Sequence, residues 1–305
     1  MKKTIKKIKL RYGENPNQNA YLISNSKKSI FEYKLNGKQI SYNNLVDLDS
    51  GLKCLAEFKE PTSIIIKHTN PCGVASAKNI NNAFLKSYKS DPKSAFGGII
   101  FLNRKVSLSL SKLIFETFFE MVVAPGFDKQ ALNLLQKKRN LILLKYPILN
   151  KQTTEYKSTL FGNLYQTKDL IAINKNFIKL VSEKKASLKS VEDLIFALKV
   201  AKHLKSNAVV LCNNKQTVGL GHGQTNRVDA LKFAIHNMNK YFKKKIFVCA
   251  SDGFFPFTDS LHLLKKNGCK SIAQPGGSIN DKKIISFSYK HKMSLYFIKN
   301  RLFKH

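Results

Sequence analysis

The chain has 305 residues, 43% of them hydrophobic and 21 of them Phe, enough apolar content to bury two globular units without covalent staples. Its formal charge is +34, from 53 Lys and Arg against 19 Asp and Glu, yet the lysines run from end to end in short clusters and gather on no single arm or helix face. Dispersed charge of this kind describes solvated surface, so neither nucleic acid nor an anionic membrane is the expected partner. Cys54, Cys72, Cys212, Cys249 and Cys269 stand singly, without a CxxC pair, which argues for reduced thiols and a cytoplasmic protein and against a disulfide framework. The basic start is followed by no apolar run, and no stretch approaches the roughly eighteen apolar residues of a membrane span, so neither a signal peptide nor a transmembrane helix is expected.

In chain order, LRYGENPNQNAYLI reads as a loop turned by Gly13 and Pro16 and leading to a strand. NNLVDLDSGLKCLAEF follows as a helix with Leu45, Leu48, Leu52 and Leu55 on one face. SIIIKHTNPCG predicts a buried strand over Ile64 to Ile66, stopped by a polar turn holding Pro71 and Gly73. A helix over Ile80 to Lys89, a strand over Ile99 to Leu102, a helix around Ser109 to Phe119 and the strand in MVVAPGF continue the strand, turn, helix rhythm of an α/β fold with a largely parallel sheet. Residues 144–162 read as a connection, and the boundary between a first unit (1–180) and a second (181–305) falls near Leu180.

The second unit opens with a helix whose start is marked by the capping-box spacing of Ser190 and Asp193 and whose face carries Leu194, Leu198 and Ala201. A strand in AVVL, a helix from Val228, a strand in IFVCA, a helix over Ser260 to Lys266 and a strand in SIAQPGGS follow. The similar rhythm of the two units points to an internal duplication.

Three segments carry candidate chemistry. Lys67 and His68 fall at the carboxyl end of a buried strand, where open α/β sheets place ligands; His68 has the residue type of a general base and Lys67 that of an oxyanion stabiliser. Pro71-Cys72 suggests a zinc-deaminase half-motif, but position 75 is Ala and no second Cys follows, so no metal is expected. The run Gly219 to Arg227 precedes a helix and reads either as an anion cradle or as a plain glycine turn, since it fits neither the dinucleotide fingerprint nor the P-loop. Ser251 to Asp259 holds three Phe and two Asp, which reads as a packed loop or as an aromatic slot for a heterocycle with Asp259 as hydrogen-bond acceptor. Only five of the basic residues are Arg (Arg11, Arg104, Arg139, Arg227, Arg301), and three of these fall in or beside such segments, where a planar fork would serve phosphate or carboxylate better than Lys does.

RYGENPNQ, SYNNL, KHTNPCG, SAFGGI, VVAPGF, KSNAVV, VGLGHGQTNR, ASDGFFPFTD, QPGGSI and RLFKH occur in this order from Arg11 to His305. In these motifs the chain resembles the transformylase part of the bifunctional family that joins AICAR transformylase to IMP cyclohydrolase. The resemblance implies two cytidine-deaminase-like three-layer units without zinc, and transfer of formyl from the cosubstrate 10-formyltetrahydrofolate to the 5-amino group of 5-aminoimidazole-4-carboxamide ribonucleotide (AICAR) in purine biosynthesis. It also implies a homodimer with shared active sites. By the same resemblance His68 is the proton acceptor and Lys67 the transition-state stabiliser. Arg11, Tyr12, Asn44, Gly97, Glu120, Asn207, Arg227, Phe254 and Arg301 would hold the nucleotide, while Val228, Asp259, Ser278 and Ile279 would hold the folate. RYGENPNQ begins at Arg11, leaving no room for the family's cyclohydrolase domain. Ring closure is therefore not expected of this chain, and a separate cyclohydrolase is a possible partner. A polyanion-binding module and a decayed paralogue are the alternative readings.

Overall fold

The computed structural model describes residues 6–24, 29–146, 154–242 and 246–305. Strands β1 (Lys6–Lys9) and β2 (Tyr21–Ser24) form a small antiparallel ladder, followed by β3 (Lys34–Asn36) and α1 (Tyr42–Leu55). The hairpin β4 (Thr62–Lys67) and β5 (Asn70–Ser76) precedes α2 (Ile80–Ser90), the single turn α3 (Pro92–Ala95), β6 (Ile99–Leu102), α4 (Leu108–Phe115), β7 (Met121–Ala124), α5 (Lys129–Gln136) and β8 (Ile142–Lys145). A second hairpin, β9 (Thr154–Thr159) and β10 (Gly162–Thr167), pairs only with itself among the described strands and stands where a plain connection is expected. The chain then runs through β11 (Ile178–Leu180), α6 (Leu188–Ala201), β12 (Val209–Asn213), β13 (Gln216–Gly221), α7 (Arg227–Tyr241), β14 (Phe247–Ser251), α8 (Asp259–Lys266), β15 (Cys269–Pro275), α9 (Asp281–Lys290) and β16 (Ser294–Ile298).

Among the described residues, twelve strands join in one mixed sheet of order β11-β16-β15-β14-β12-β13-β5-β4-β6-β7-β8-β3. Read outward from its middle, each half has the same sense of pairing. Its hairpin is antiparallel, the next strand antiparallel again, two more parallel, and the outermost antiparallel. The halves meet where β13 runs antiparallel to β5, at Gln216 and Ala75.

Strand alternation assigns the isoleucines of β4 to two cores. Ile64 and Ile66 pack in the cluster that includes the buried faces of α1 and α6, while Ile65 packs in the cluster of α2, α4 and α5. A third cluster gathers α7, α8 and α9 under the second half. The result is three layers, with α1 and α6 on one face of the sheet and the remaining helices on the other.

Several sequence expectations are corrected by pairing. Pro71 and Gly73 lie inside β5, because the turn that ends β4 takes only two residues, His68 and Thr69. Gly219 and Gly221 likewise lie in β13 and make no loop: a Cβ on them would fall 2.2 Å from the Ala234 oxygen and 1.8 Å from the Ala230 oxygen of α7. These glycines let strand and helix backbones touch, which leaves only residues 222–226, between β13 and α7, for the anion-cradle reading. The α6 cap is Ser187, whose hydroxyl accepts the Ser190 N–H, so Ser190 is inside the helix. No described helix is long and apolar enough to cross a membrane.

Candidate functional site

The sheet seam organises the site. Both residues of the β4–β5 turn, His68 and Thr69, have left-handed backbone, with φ of 51° and 65°, the twist a two-residue hairpin demands. A β-branched Thr pays about 1–3 kcal/mol for that conformation unless its surroundings fix it. Here Asp47 of α1 accepts the Thr69 N–H at 2.6 Å, and the Ser50 hydroxyl of the same helix donates to the Thr69 carbonyl at 2.5 Å. Burial pushes the Asp47 carboxyl above its ordinary range, against the opposing pull of the Thr69 N–H and of His68 nearby. The His68 ring is exposed. Lys67 donates to the Phe96 carbonyl at 2.6 Å, and the left-handed Gly97 follows beside it, close enough that a Cβ there would lie 4.0 Å from Lys67 Nζ.

Lys67 and His68 open onto a cavity of about 330 Å³ that straddles the seam and is completed from the second half by Leu220, His222 and Gln224. Burial holds the His222 imidazole below its ordinary range, which favours the neutral ring. Asn207 reaches the same wall, its Nδ2 donating to the Gln224 carbonyl at 2.8 Å. Cys72 also lines the cavity, its thiol pushed up to about 12 by burial, so it is no nucleophile at neutral pH.

The other expected nucleotide residues form two groups. In the first half, Arg11 stacks on the Tyr12 ring at 4.6 Å and donates to its hydroxyl at 2.8 Å, while Arg11 Nε is buried without a hydrogen-bond partner. Asn44 is spent on a reciprocal cap with Ser41, which leaves its Nδ2 as the remaining donor pair. Glu120 is paired with Lys38 at 2.8 Å. In the second half, Arg227 lies against the fully buried Asp252 (2.8 Å) and also donates to Ser251 Oγ and the Phe254 carbonyl. Three of its five N–H groups are thus engaged internally, and Arg227 braces the loop before it serves any ligand. Arg301 lies over the Phe303 ring at 4.8 Å, and Arg227 approaches the same ring at 5.9 Å.

Of the three loop phenylalanines, Phe255 is fully buried core, whereas Phe254 and Phe257 are exposed, so the aromatic slot has two rings at most. The loop with Ser278 and Ile279 is tied to it, Asn280 Nδ2 donating to the Pro256 carbonyl at 2.8 Å. Ile279 is fully exposed. Val228 and Asp259 lie in the first turns of α7 and α8.

Sequence reasoning missed Asp47, Ser50 and His222, and with them a repeated device. The second hairpin turn, Asn214-Lys215, is also left-handed (φ 53° and 50°), and Asp193 of α6 accepts both of its N–H groups. Asp47 precedes Thr69 by 22 residues, as Asp193 precedes Lys215. A search for acid-to-turn spacing repeated in both units would have found it.

The two like-ordered half-sheets and the turn at their seam define an α/β protein with a cleft built from both halves. Residues 1–237 match the AICARFT/IMPCHase bienzyme family, and the chain belongs to it. It is similar to the bifunctional purine biosynthesis protein PurH of Caldicellulosiruptor bescii, 46% identical over 304 residues, and to that of Thermoanaerobacter sp., 44% identical over 299 residues. The PurH protein of Chlorobium phaeobacteroides is 40% identical over 311 residues. The matches take in 97–98% of this chain but only 58–59% of those proteins.

Proposed function

We propose that this chain is an enzyme of purine biosynthesis that transfers formyl from 10-formyltetrahydrofolate to the 5-amino group of AICAR. The observation that carries the reading is Lys67 and His68 fixed on a braced turn at the mouth of a cavity shared by both half-sheets. In the transfer, the amino nitrogen bonds to the formyl carbon and the bond from that carbon to folate N10 breaks. His68 takes the proton lost by the amine, a poor nucleophile whose lone pair is drawn into the imidazole, and hands it to N10 as that nitrogen leaves. Lys67 keeps two N–H donors after its bond to Phe96 and turns one toward the developing oxyanion.

The nucleotide is held by Arg11, Tyr12, Asn44, Gly97, Glu120, Asn207, Arg227, Phe254 and Arg301. The unpartnered Arg11 Nε is the donor that most needs an anionic ligand. Folate is held by Val228, Asp259, Ser278 and Ile279, where the exposed rings of Phe254 and Phe257 offer apolar surface. These residues form separate groups, which fits a homodimer in which two copies complete each site. The two half-sheets are read as cytidine-deaminase-like units divided near Leu180, in a cytoplasmic enzyme.

Tetrahydrofolate release on mixing the protein with AICAR and 10-formyltetrahydrofolate tests the reading. Wild type turns over, and His68→Ala is slower by about a hundredfold or more. A His68→Ala variant as fast as wild type removes His68 from the reaction, and a folded wild type that releases no tetrahydrofolate refutes the transferase.

A further inference from the structure

Residues 301–305 alternate between exposed and more buried side chains, and they hydrogen-bond to both halves. Arg301, Phe303 and His305 are exposed, the Arg301 guanidinium 4.8 Å over the Phe303 ring and the rings of Phe303 and His305 edge to face at 6.0 Å. Leu302 and Lys304 turn inward. The Lys304 ammonium donates to Ser50 Oγ at 3.3 Å and to the His203 carbonyl at 3.1 Å. Ser50 Oγ in turn donates to the Thr69 carbonyl on the turn that carries His68. The Lys304 backbone clamps Ser206 in both directions: Ser206 N–H donates to its carbonyl at 2.9 Å, and Lys304 N–H donates to Ser206 Oγ at 3.2 Å. The Ser206 hydroxyl donates to Asp252 Oδ2 at 2.6 Å, and Asp252 holds Arg227.

We infer that Lys304 is a positioning residue for the proposed formyl transfer, a strut that sets the His68 turn of the first half against the Arg227 group of the second. Lys304 touches the first network through its side chain and the second through its main chain; Asn70 adds a second tie, its Nδ2 donating to the His68 carbonyl at 2.9 Å and its Oδ1 accepting the Lys205 N–H at 3.0 Å. A buried ammonium is costly to hold in place, and burial indeed pushes the Lys304 ammonium down, with Lys53 and Lys205 adding to that effect and Cys54 and Asp49 opposing it. Its retention there is explained by the hydrogen bonds it supplies to Ser50 and His203, which a neutral side chain of similar length would not make.

The inference rests on the formyl-transfer reading for its kinetic test but not for its structural one. Lys304→Met keeps the length and removes the donors; a shift of about 1 Å in the turn lowers kcat by up to about a hundredfold while KM for the folate stays near wild type. Lys304→Arg restores most of the rate, and Ser50→Ala, a smaller change that leaves Lys304 in place, lowers kcat in the same direction. In parallel, the His68 ring resonance of ¹³C-histidine-labelled protein, assigned by its loss in His68→Ala, moves in Lys304→Met, and the Thr69 N–H exchanges faster. A Lys304→Met protein with wild-type kcat, His68 resonance and Thr69 exchange overturns the strut. If wild type transfers no formyl group, the function fails, and the resonance and exchange arms still decide the strut by themselves. If Lys304→Met does not fold, the same readings on Ser50→Ala decide it.

Discussion

Gly221→Ala separates a packing glycine from a ligand-cradling one. The added Cβ falls 1.8 Å from the Ala230 oxygen and 2.6 Å from its carbon, where ordinary contact begins near 3.4 Å. Nothing at the end of a flexible side chain is there to move aside; strand β13 and helix α7 must separate as backbones. Overpacking of this kind costs about 3 kcal/mol or more, which for a chain of this length lowers Tm by roughly 5 °C. Gly223→Ala is the comparison: it meets nothing within 4 Å, but its φ of +68° is strained for alanine, at about 1–2 kcal/mol. Thermal unfolding followed by circular dichroism ranks the two. If Gly221→Ala melts with wild type while Gly223→Ala abolishes ligand binding, the glycine run is a ligand loop after all and the packing account is wrong.

Asp252→Ala leaves the Arg227 guanidinium buried beside a hole and destabilises by about 3–5 kcal/mol in urea titrations; a loss under 1 kcal/mol would show Arg227 relocating to solvent. Burial holds the imidazoles of His203 and His222 below their ordinary range, so the unfolded chain binds more protons than the native one once pH drops below the ordinary histidine value. Stability is therefore full above about pH 6.5 and declines as pH falls from there, by up to about 1.4 kcal/mol per pH unit for each ring. His203→Gln lessens the decline between pH 6.5 and 5, and an unchanged slope would clear His203. Four cysteines are buried and the fifth, Cys72, is partly so with its thiol pushed up to about 12. A thiol reagent at pH 8 therefore reacts slowly with native protein and with all five thiols after unfolding; rapid native labelling of several would mean the core is open.

Where side-chain periodicity decides structure, the sequence was readable. Leu48, Leu52 and Leu55 of α1 and Leu194, Leu198 and Ala201 of α6 are all buried as their spacing requires. The β-branched run of β4 is buried on both faces, and the Lys67-His68 pair sits at its end. What escaped reading depends on partners remote in sequence. Pro71 is compatible with a strand only because Asn70 and Pro71 lie at the hairpin end of β5. Gly219 is inside a strand because it pairs with Leu211, and the Ala234 carbonyl of α7 leaves no room for a side chain there. Helix α9 went unread because Lys282, Lys283 and Lys290 break up the apolar pattern of Ile284 and Phe287, and β16 is a run of only five residues. The same limit applies to the site: Lys67 and His68 were legible as neighbours in sequence, but the union of Ser50, Ser206, Asp252 and Lys304 exists only after the halves have met.

That meeting has a kinetic side. Each half-sheet closes mostly through pairings between strands near in sequence, whereas the seam joins positions more than a hundred residues apart, through Gln216 with Ala75 and Thr217 Oγ1 with the Val74 N–H and carbonyl. Contacts of such separation form late because the loop entropy of bringing them together must be overcome first. On refolding from urea, far-ultraviolet dichroism should therefore recover before the cavity does, and an interval in which helices and strands are back while the proposed activity is not would measure how long two assembled halves wait to become one cleft.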